Sequence, residues 1–271
     1  MVFGGNLSAS VLGLLYLAVL TSALSLEKFG LYVLYGALIA IVGKLVSFQT
    51  WQAQIHYGTA AAKEKDNLLL YNILFFGWLL DLLAGLAGFL IALALVAFIP
   101  ELFGLPQDSM TPAAIAATIL IFNWISSPTA FFRLYDRFVP QALYQNISNF
   151  LQLVSVSYLW AIGEERLIFY IATTSINNII GQVWFFAYAY KEAKKLGLVS
   201  SGKPHINYLM DKCPGILRFT LISNFDGMIR VVRDADIFIV NGILGVQATA
   251  LFKIAKTLTG AFGKLTGPFY Q

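Results

Sequence analysis

Residues 68–99 read LLLYNILFFGWLLDLLAGLAGFLIALALVAFI, thirty-two residues with one charge, Asp81. A helix needs about 20 such residues to cross the hydrocarbon of a bilayer. Apolar runs of spanning length recur along the chain, so the whole composition bends to them. The sequence is 58% hydrophobic and 12% charged, with a mean hydropathy of +0.73. Soluble domains carry roughly 25% charged residues. In lipid every backbone N–H and C=O must find its partner inside the protein, which leaves helices or closed barrels. These runs are continuous rather than alternating, so the expected class is all-α, a polytopic membrane helix bundle.

Seven or eight spans are expected. They cover about 5–24, 30–51, 68–99, 113–131, 143–162, 167–189, 215–241 and a partial eighth from about 248. The polar stretches IHYGTAAAKEKDN, FRLYDRFVPQ and Tyr190–Cys213 read as connections, and IPELFGLPQDSMTP breaks helix at its prolines and glycine. The third span exceeds what a bilayer needs, so it should tilt or project. The division is therefore 1–190 as a six-helix N-terminal lobe, 191–214 as a cytoplasmic linker and 215–271 as the first two helices of a second lobe. The chain opens almost directly on its first apolar run, without the basic region of a cleavable signal. It closes at LTGPFYQ inside a helical pattern, so it reads as a fragment of a longer protein.

Loops after even-numbered spans hold Lys63, Lys65, Arg133, Arg137, Lys191, Lys194, Lys195, Lys203 and Lys212, against Lys28 and Arg166 after odd-numbered ones. Basic residues stay on the cytoplasmic side. The amino terminus is thus expected to be cytoplasmic, in a bacterial or archaeal cytoplasmic membrane.

Much chemistry is missing from the sequence. There is no phosphate-binding glycine loop, no metal-ligand cluster and no nucleic-acid signature. Cys213 is the single cysteine, and the two histidines, His56 and His205, fall in separate polar stretches as solvated or interfacial side chains. Asp136 and Arg137 read as a charged turn. No soluble catalytic segment exists, so an enzyme is not expected, and neither is a cofactor.

Charge inside the apolar runs is the informative feature. The segment SNFDGMIRVVRDADIFIVNG places Asp226, Arg230, Arg233, Asp234 and Asp236 within about 160° of a helical wheel. In the next helix Lys253, Lys256 and Lys264 share about 80°, with Gly260 on the same face and no acid between them. Each charge facing lipid at mid-membrane costs about 2.5–3.5 kcal/mol on the insertion scale. One-sided clustering therefore favours a hydrated cavity, which Lys44 in the second span would join, and whose sign would attract an anion such as phosphate or pyrophosphate. The alternative is an amphipathic helix lying in the interface. Asp81 is either a coupling group or a hydrogen-bonding link between helices. Ala84 and Gly88 suit close packing, and Asn177, Asn178 and Gln182 suit inter-helix bonding.

Two stretches resemble a known family. LTSALSLEKFGLYVLYGAL and RDADIFIVNGILGVQATALFKIAKTLTGAFGKLTGPFY are similar to the first loop with second helix, and to the seventh and eighth helices, of oligosaccharide flippases. These O-antigen and polysaccharide exporters belong to the multidrug/oligosaccharidyl-lipid/polysaccharide exporter superfamily. The resemblance implies two six-helix lobes around a V-shaped cavity lined by the first, second, seventh and eighth helices. It implies a substrate, an undecaprenyl-pyrophosphate-linked oligosaccharide, flipped by alternating access. It places Lys44, Arg230, Arg233, Lys253, Lys256 and Lys264 on cavity-lining helices. Coupling to a proton or sodium gradient is expected, with Asp81 and Asp226 as candidates. Glycan assembly proteins are the expected partners. Many members carry an arginine at the end of the first helix, where this chain has Ser22. Two alternatives remain. One is a drug/cation antiporter of the same superfamily, which the lysine excess disfavours. The other is a membrane-embedded glycan polymerase or acyltransferase, which would need a large outward loop.

Overall fold

The computed structural model describes residues 2–199 and 204–266, with the side chains of 2–7, 225–230, 232–234 and 262–266 outside that description. Eleven α-helices and one 3-10 turn, Pro100–Phe103, make up the described chain, and no strand occurs in it. The helices are α1 Val2–Ala23, α2 Leu26–Val46, α3 Thr50–Glu64, α4 Asn67–Phe98, α5 Met110–Ile121 and α6 Ser126–Leu134. They continue with α7 Val139–Ala161, α8 Leu167–Lys195, α9 Ile206–Lys212, α10 Ile216–Asp234 and α11 Asp236–Thr266. Four stretches are long and apolar enough to cross a membrane: Leu26–Val46, Asn67–Phe98, Met110–Leu134 and Asp236–Ala261. This is a polytopic helical bundle, though composition alone supports fewer crossings than the seven or eight expected. α7 and α8 have spanning length, but asparagine, glutamine and serine lower their hydropathy.

Local chemistry sets most boundaries. The Ser25 hydroxyl accepts the Lys28 amide at 3.3 Å and starts α2, and Asp66 accepts the Leu69 amide at 2.9 Å and starts α4. Three sequence expectations need correction. The second span does not run on to residue 51. Ser47 is extended and Gln49 is left-handed (φ 44°), so α2 ends at Val46. The stretch IHYGTAAAKEKDN is helical rather than a loop. In α3 the buried Thr50, Ala53, Gln54, Gly58 and Ala61 recur at helical spacing and face α4 and α6. These small and polar residues bury a narrow stripe that hydropathy does not register. The fourth span is broken between Ile121 and Ser126, and Pro128 sits in the first turn of α6, where its missing N–H costs nothing.

α11 is folded back on itself. Lys256 contacts Asp236 at 2.7 Å. In a straight helix twenty residues would separate them by about 30 Å. The reversal falls at Gly245, whose φ of 83° and ψ of 177° a side chain would resist. Ala235 keeps helical angles, so α10 and the first part of α11 continue one another.

Around the bundle α1 lies along α7, α7 along α8, α8 against α5, α5 against α4 and α4 against α2. α11 packs on both α2 and α1 and completes the circuit. α1 and α2 barely touch, although a two-residue turn joins them. One end of the bundle gathers the α1–α2 turn, the 3-10 turn, the α7–α8 turn and the reversal in α11. There Lys28 meets Glu165 at 3.5 Å and Phe103 packs edge-on against Phe238. The other end gathers α3, α9, the α6–α7 turn and the end of α8, with Arg137 bonded to Glu192 at 2.9 Å. The described basic loop residues Lys63, Lys65, Arg133, Arg137, Lys191, Lys194, Lys195 and Lys212 all belong to this second end.

The α7–α8 turn is clamped by one residue. Glu164 accepts the Arg166 backbone amide at 2.9 Å and its guanidinium at 2.9 and 2.8 Å. The guanidinium bonds, then the backbone bond, hold the Glu164 carboxyl down at about 2. A depressed carboxyl contributes its stabilisation above its unfolded value and loses it as pH falls through the folded one. We expect Glu164 to titrate near pH 2 by carboxyl-carbon NMR. In Arg166→Ala it should return to about 4.3. Titration near the ordinary value in the unmodified protein would show that the clamp is absent.

Candidate functional site

The space left between α1 and α2, roofed by α11, is a cavity of about 450 Å³. α1 contributes Gly13 and Tyr16, α2 contributes Tyr32 and Gly36, and α11 contributes Lys253 and Lys256. Gly13 and Gly36 have open space where a Cβ would stand. Their small size keeps the cavity wide rather than bringing helices together. Gly260 also has nothing within 4 Å, but it is exposed and does not line this cavity, so the open space beside it is not the widening its place on the lysine face led us to expect.

Both ammonium groups reach this region from consecutive turns of one helix. Lys253 is half-buried and makes no ion pair among the described residues. Lys256 is bonded to both oxygens of Asp236, at 2.8 and 2.7 Å, and stands 5.9 Å from the Phe252 ring. The sequence showed no acid within the lysine stripe. The fold supplies one from the preceding segment, because the reversal at Gly245 brings Asp236 opposite Lys256. The cavity is therefore cationic by one ammonium beyond its internal ion pair, on the described side chains.

Beside this cavity, which Tyr16 and Tyr32 also line, three hydroxyls converge from three helices. Tyr16 and Tyr32 are 2.6 Å apart, and Thr174 of α8 lies 3.0 Å from Tyr32 and 3.3 Å from Tyr16. Sequence reasoning missed this cluster. Its only trace there is a tyrosine in each of two apolar runs and a threonine in a third.

The other expected site residues are placed as follows. Lys44 lies in the last turn of α2, one turn past Ala40, and is not among the cavity-lining residues. Arg230, Arg233 and Asp226 are carried on α10 and Lys264 on α11, with their side chains outside the described residues. Asp81 belongs elsewhere: it is buried on α4 and accepts the Thr50 hydroxyl at 2.9 Å. Asn177 links α8 to α7 through Ser155 at 2.8 Å, as expected of an inter-helix bond. His56 stacks on Phe219 and the buried Cys213 has its thiol pushed up by burial. No group of acid, histidine and cysteine side chains among the described residues is arranged to hold a metal.

The chain is 27% identical over 263 residues to the inner membrane protein YghQ of Escherichia coli (strain K12), which covers 97% of this chain and 74% of the relative. It is a multi-pass membrane protein. No family model matches it, and no solved structure matches it. In such a protein, ionisable side chains within apolar helices are rare and face the bundle interior or a water-filled cavity.

Proposed function

We propose that this membrane protein is a transporter, not an enzyme, that moves an anionic lipid-linked oligosaccharide across the cytoplasmic membrane. The observation that supports this best is the cavity between α1, α2 and α11, lined by Lys253 and Lys256 of α11 and by Tyr16 and Tyr32 of α1 and α2. An ammonium in a low-dielectric cavity favours a phosphate or pyrophosphate. Tyrosine rings and hydroxyls suit sugars. The resemblance to oligosaccharide flippases names the substrate as undecaprenyl-pyrophosphate-linked. The inner-membrane location of the YghQ relative agrees with a cytoplasmic membrane. The basic end of the bundle is assigned to the cytoplasm by the positive-inside rule.

Alternating access would expose the cavity to each side in turn, with α11 shifting against α1 and α2. Glycan assembly proteins are the partners this role requires. The excess of lysine over acid among the described side chains of the cavity disfavours a cationic drug as substrate.

In the full-length protein, Lys253→Ala and Lys256→Ala should each lower surface glycan display at least tenfold at equal expression. Each removes a charge-assisted contact worth about 1.5–3 kcal/mol. Undiminished display from both variants would overturn the cavity as the substrate path.

A further inference from the structure

α5 lies between α4 and α8 and packs on both. At Phe122 the chain leaves that course. Residues 122–125 form no helix, and α6 resumes deeper inside, with 126–132 buried among α3, α4 and α8. The path that α5 would have continued along is left open, and α4 and α8 barely touch across it. A pocket of about 290 Å³ occupies this space. α4 lines it with Tyr71 and Trp78, α6 with Pro128 and Phe131, and α8 with Phe186 and Tyr190. Trp124, from the break itself, closes the end nearest α5, its ring 6.0 Å from Trp78 and 5.6 Å from Phe186. Gly197 (φ 75°) turns the chain after α8, so that the Leu198 amide bonds back to the Ala193 carbonyl at 3.1 Å and Leu198 folds into the other end. Ser127 also lines the pocket, but its hydroxyl is committed: it donates to the Leu74 carbonyl at 3.0 Å and accepts the Gln54 amide at 2.7 Å. The walls therefore offer an occupant mainly rings and aliphatic surface.

Charges on either side set the depth of this pocket. α4 carries none between Asp66 and Asp81, and α8 none before Lys191. The pocket thus lies where hydrocarbon gives way to headgroups at the basic end of the bundle, a level at which tyrosine and tryptophan collect. Directly past Tyr190 come Lys191, Lys194 and Lys195. Glu192, the acid among them, is taken by Arg137 and Lys195. Lys191 and Lys194 are exposed and make no ion pair among the described residues. Lys194 stands one turn beyond Tyr190, on the same side of α8.

We infer that this pocket holds an acyl chain of an anionic phospholipid, with the lipid phosphate at Lys191 and Lys194. The chain fills the path that α5 vacates. An empty slot at this depth would forfeit dispersion contacts along every wall. The volume lies at the lower end of ligand pockets, so it takes part of one chain rather than a whole lipid. The two lysines select the charge of the headgroup. This site lies apart from the cavity between α1, α2 and α11 and does not rest on the transport reading.

The test titrates the purified full-length protein in detergent with phosphatidylglycerol or phosphatidylcholine whose acyl chains carry bromine, which quenches tryptophan on contact. Phosphatidylglycerol should quench saturably, at about tenfold lower concentration than phosphatidylcholine. Trp78→Phe combined with Trp124→Phe should remove most of that quenching. Ala193→Phe puts a ring into the slot and should abolish it in a protein that still elutes as a single species. Lys191→Gln combined with Lys194→Gln should keep the quenching and erase the preference for phosphatidylglycerol. Equal quenching by the two lipids in the unmodified protein would overturn the site. So would a preference that survives loss of both lysines, or quenching undiminished in folded Ala193→Phe. Absence of saturable quenching would also overturn it, and would leave the slot to a protein partner.

Discussion

Gly85→Val is expected to remove most of the folded protein. A Cβ at Gly85 would run into the carbonyl oxygen of Leu120 and crowd the Cα of Ile121, both backbone atoms of α5. A side chain facing a side chain can rotate away, but here one whole helix must move from another. Overpacking a rigid core costs about 1–3 kcal/mol, and a backbone collision belongs at or above the top of that range. Val42, Val46 and Leu120 crowd the next turn of α4 at Gly88, so the displaced helices have no slack nearby. The measurement is the unfolding midpoint and the monodisperse yield by fluorescence-detected size exclusion. Gly13→Ala is the control, since its Cβ would meet nothing within 4 Å. It should leave the stability within about 1 kcal/mol of the parent, on the favourable side. A Gly85→Val protein as stable as Gly13→Ala would show that α4 and α5 are not this close.

The second large effect concerns Lys256 and Asp236. Lys256→Met removes the cation and leaves Asp236 as a charge at membrane depth. Stripping one partner from a fully buried pair costs about 3–5 kcal/mol. These side chains are 34% and 37% exposed, so we expect about 1–2 kcal/mol after screening. Asp236→Asn should cost less, because a lysine can reach water along its stem. The double variant Asp236→Asn with Lys256→Met should recover most of the stability lost in Lys256→Met alone. Its behaviour in glycan export separates two roles for the lysine. If Lys256 serves the anion, the double variant is stable but does not export. If Lys256 serves only to neutralise Asp236, export returns with stability, and Lys253 alone must then hold the substrate.

The sequence and the structure divide the explanation of these effects unevenly. Hydropathy was enough to locate α1 and α4 and, apart from its ends, α2, whose apolar runs have no other way to satisfy their backbone in lipid. It failed at α3, where burial rests on Ala53, Gly58 and Ala61, residues too small to register as apolar. It also failed at the break before Ser126, because Phe122, Trp124 and Ile125 are apolar and nothing in their hydropathy marks a turn. The lysine stripe was legible from its angular spacing, and Lys253 and Lys256 do line one cavity. Lys44 shares their charge but not their position, since a residue's height along a helix relative to its neighbours depends on how the helices are staggered. The tyrosine and threonine hydroxyls were illegible for the same reason, being brought together from α1, α2 and α8.

Residue types and their order alone determined that the chain is a helical membrane bundle, where its main helices fall, and that its charges sit on particular helix faces. These follow from the cost of unsatisfied backbone and exposed charge in hydrocarbon, which acts on each segment separately. Tertiary structure alone decided that Asp236 neutralises Lys256 and that Tyr16, Tyr32 and Thr174 share hydrogen bonds. Such meetings depend on the reversal at Gly245 and on the close approach permitted at Gly85, which fix the rotation and stagger of helices that local energetics leaves free.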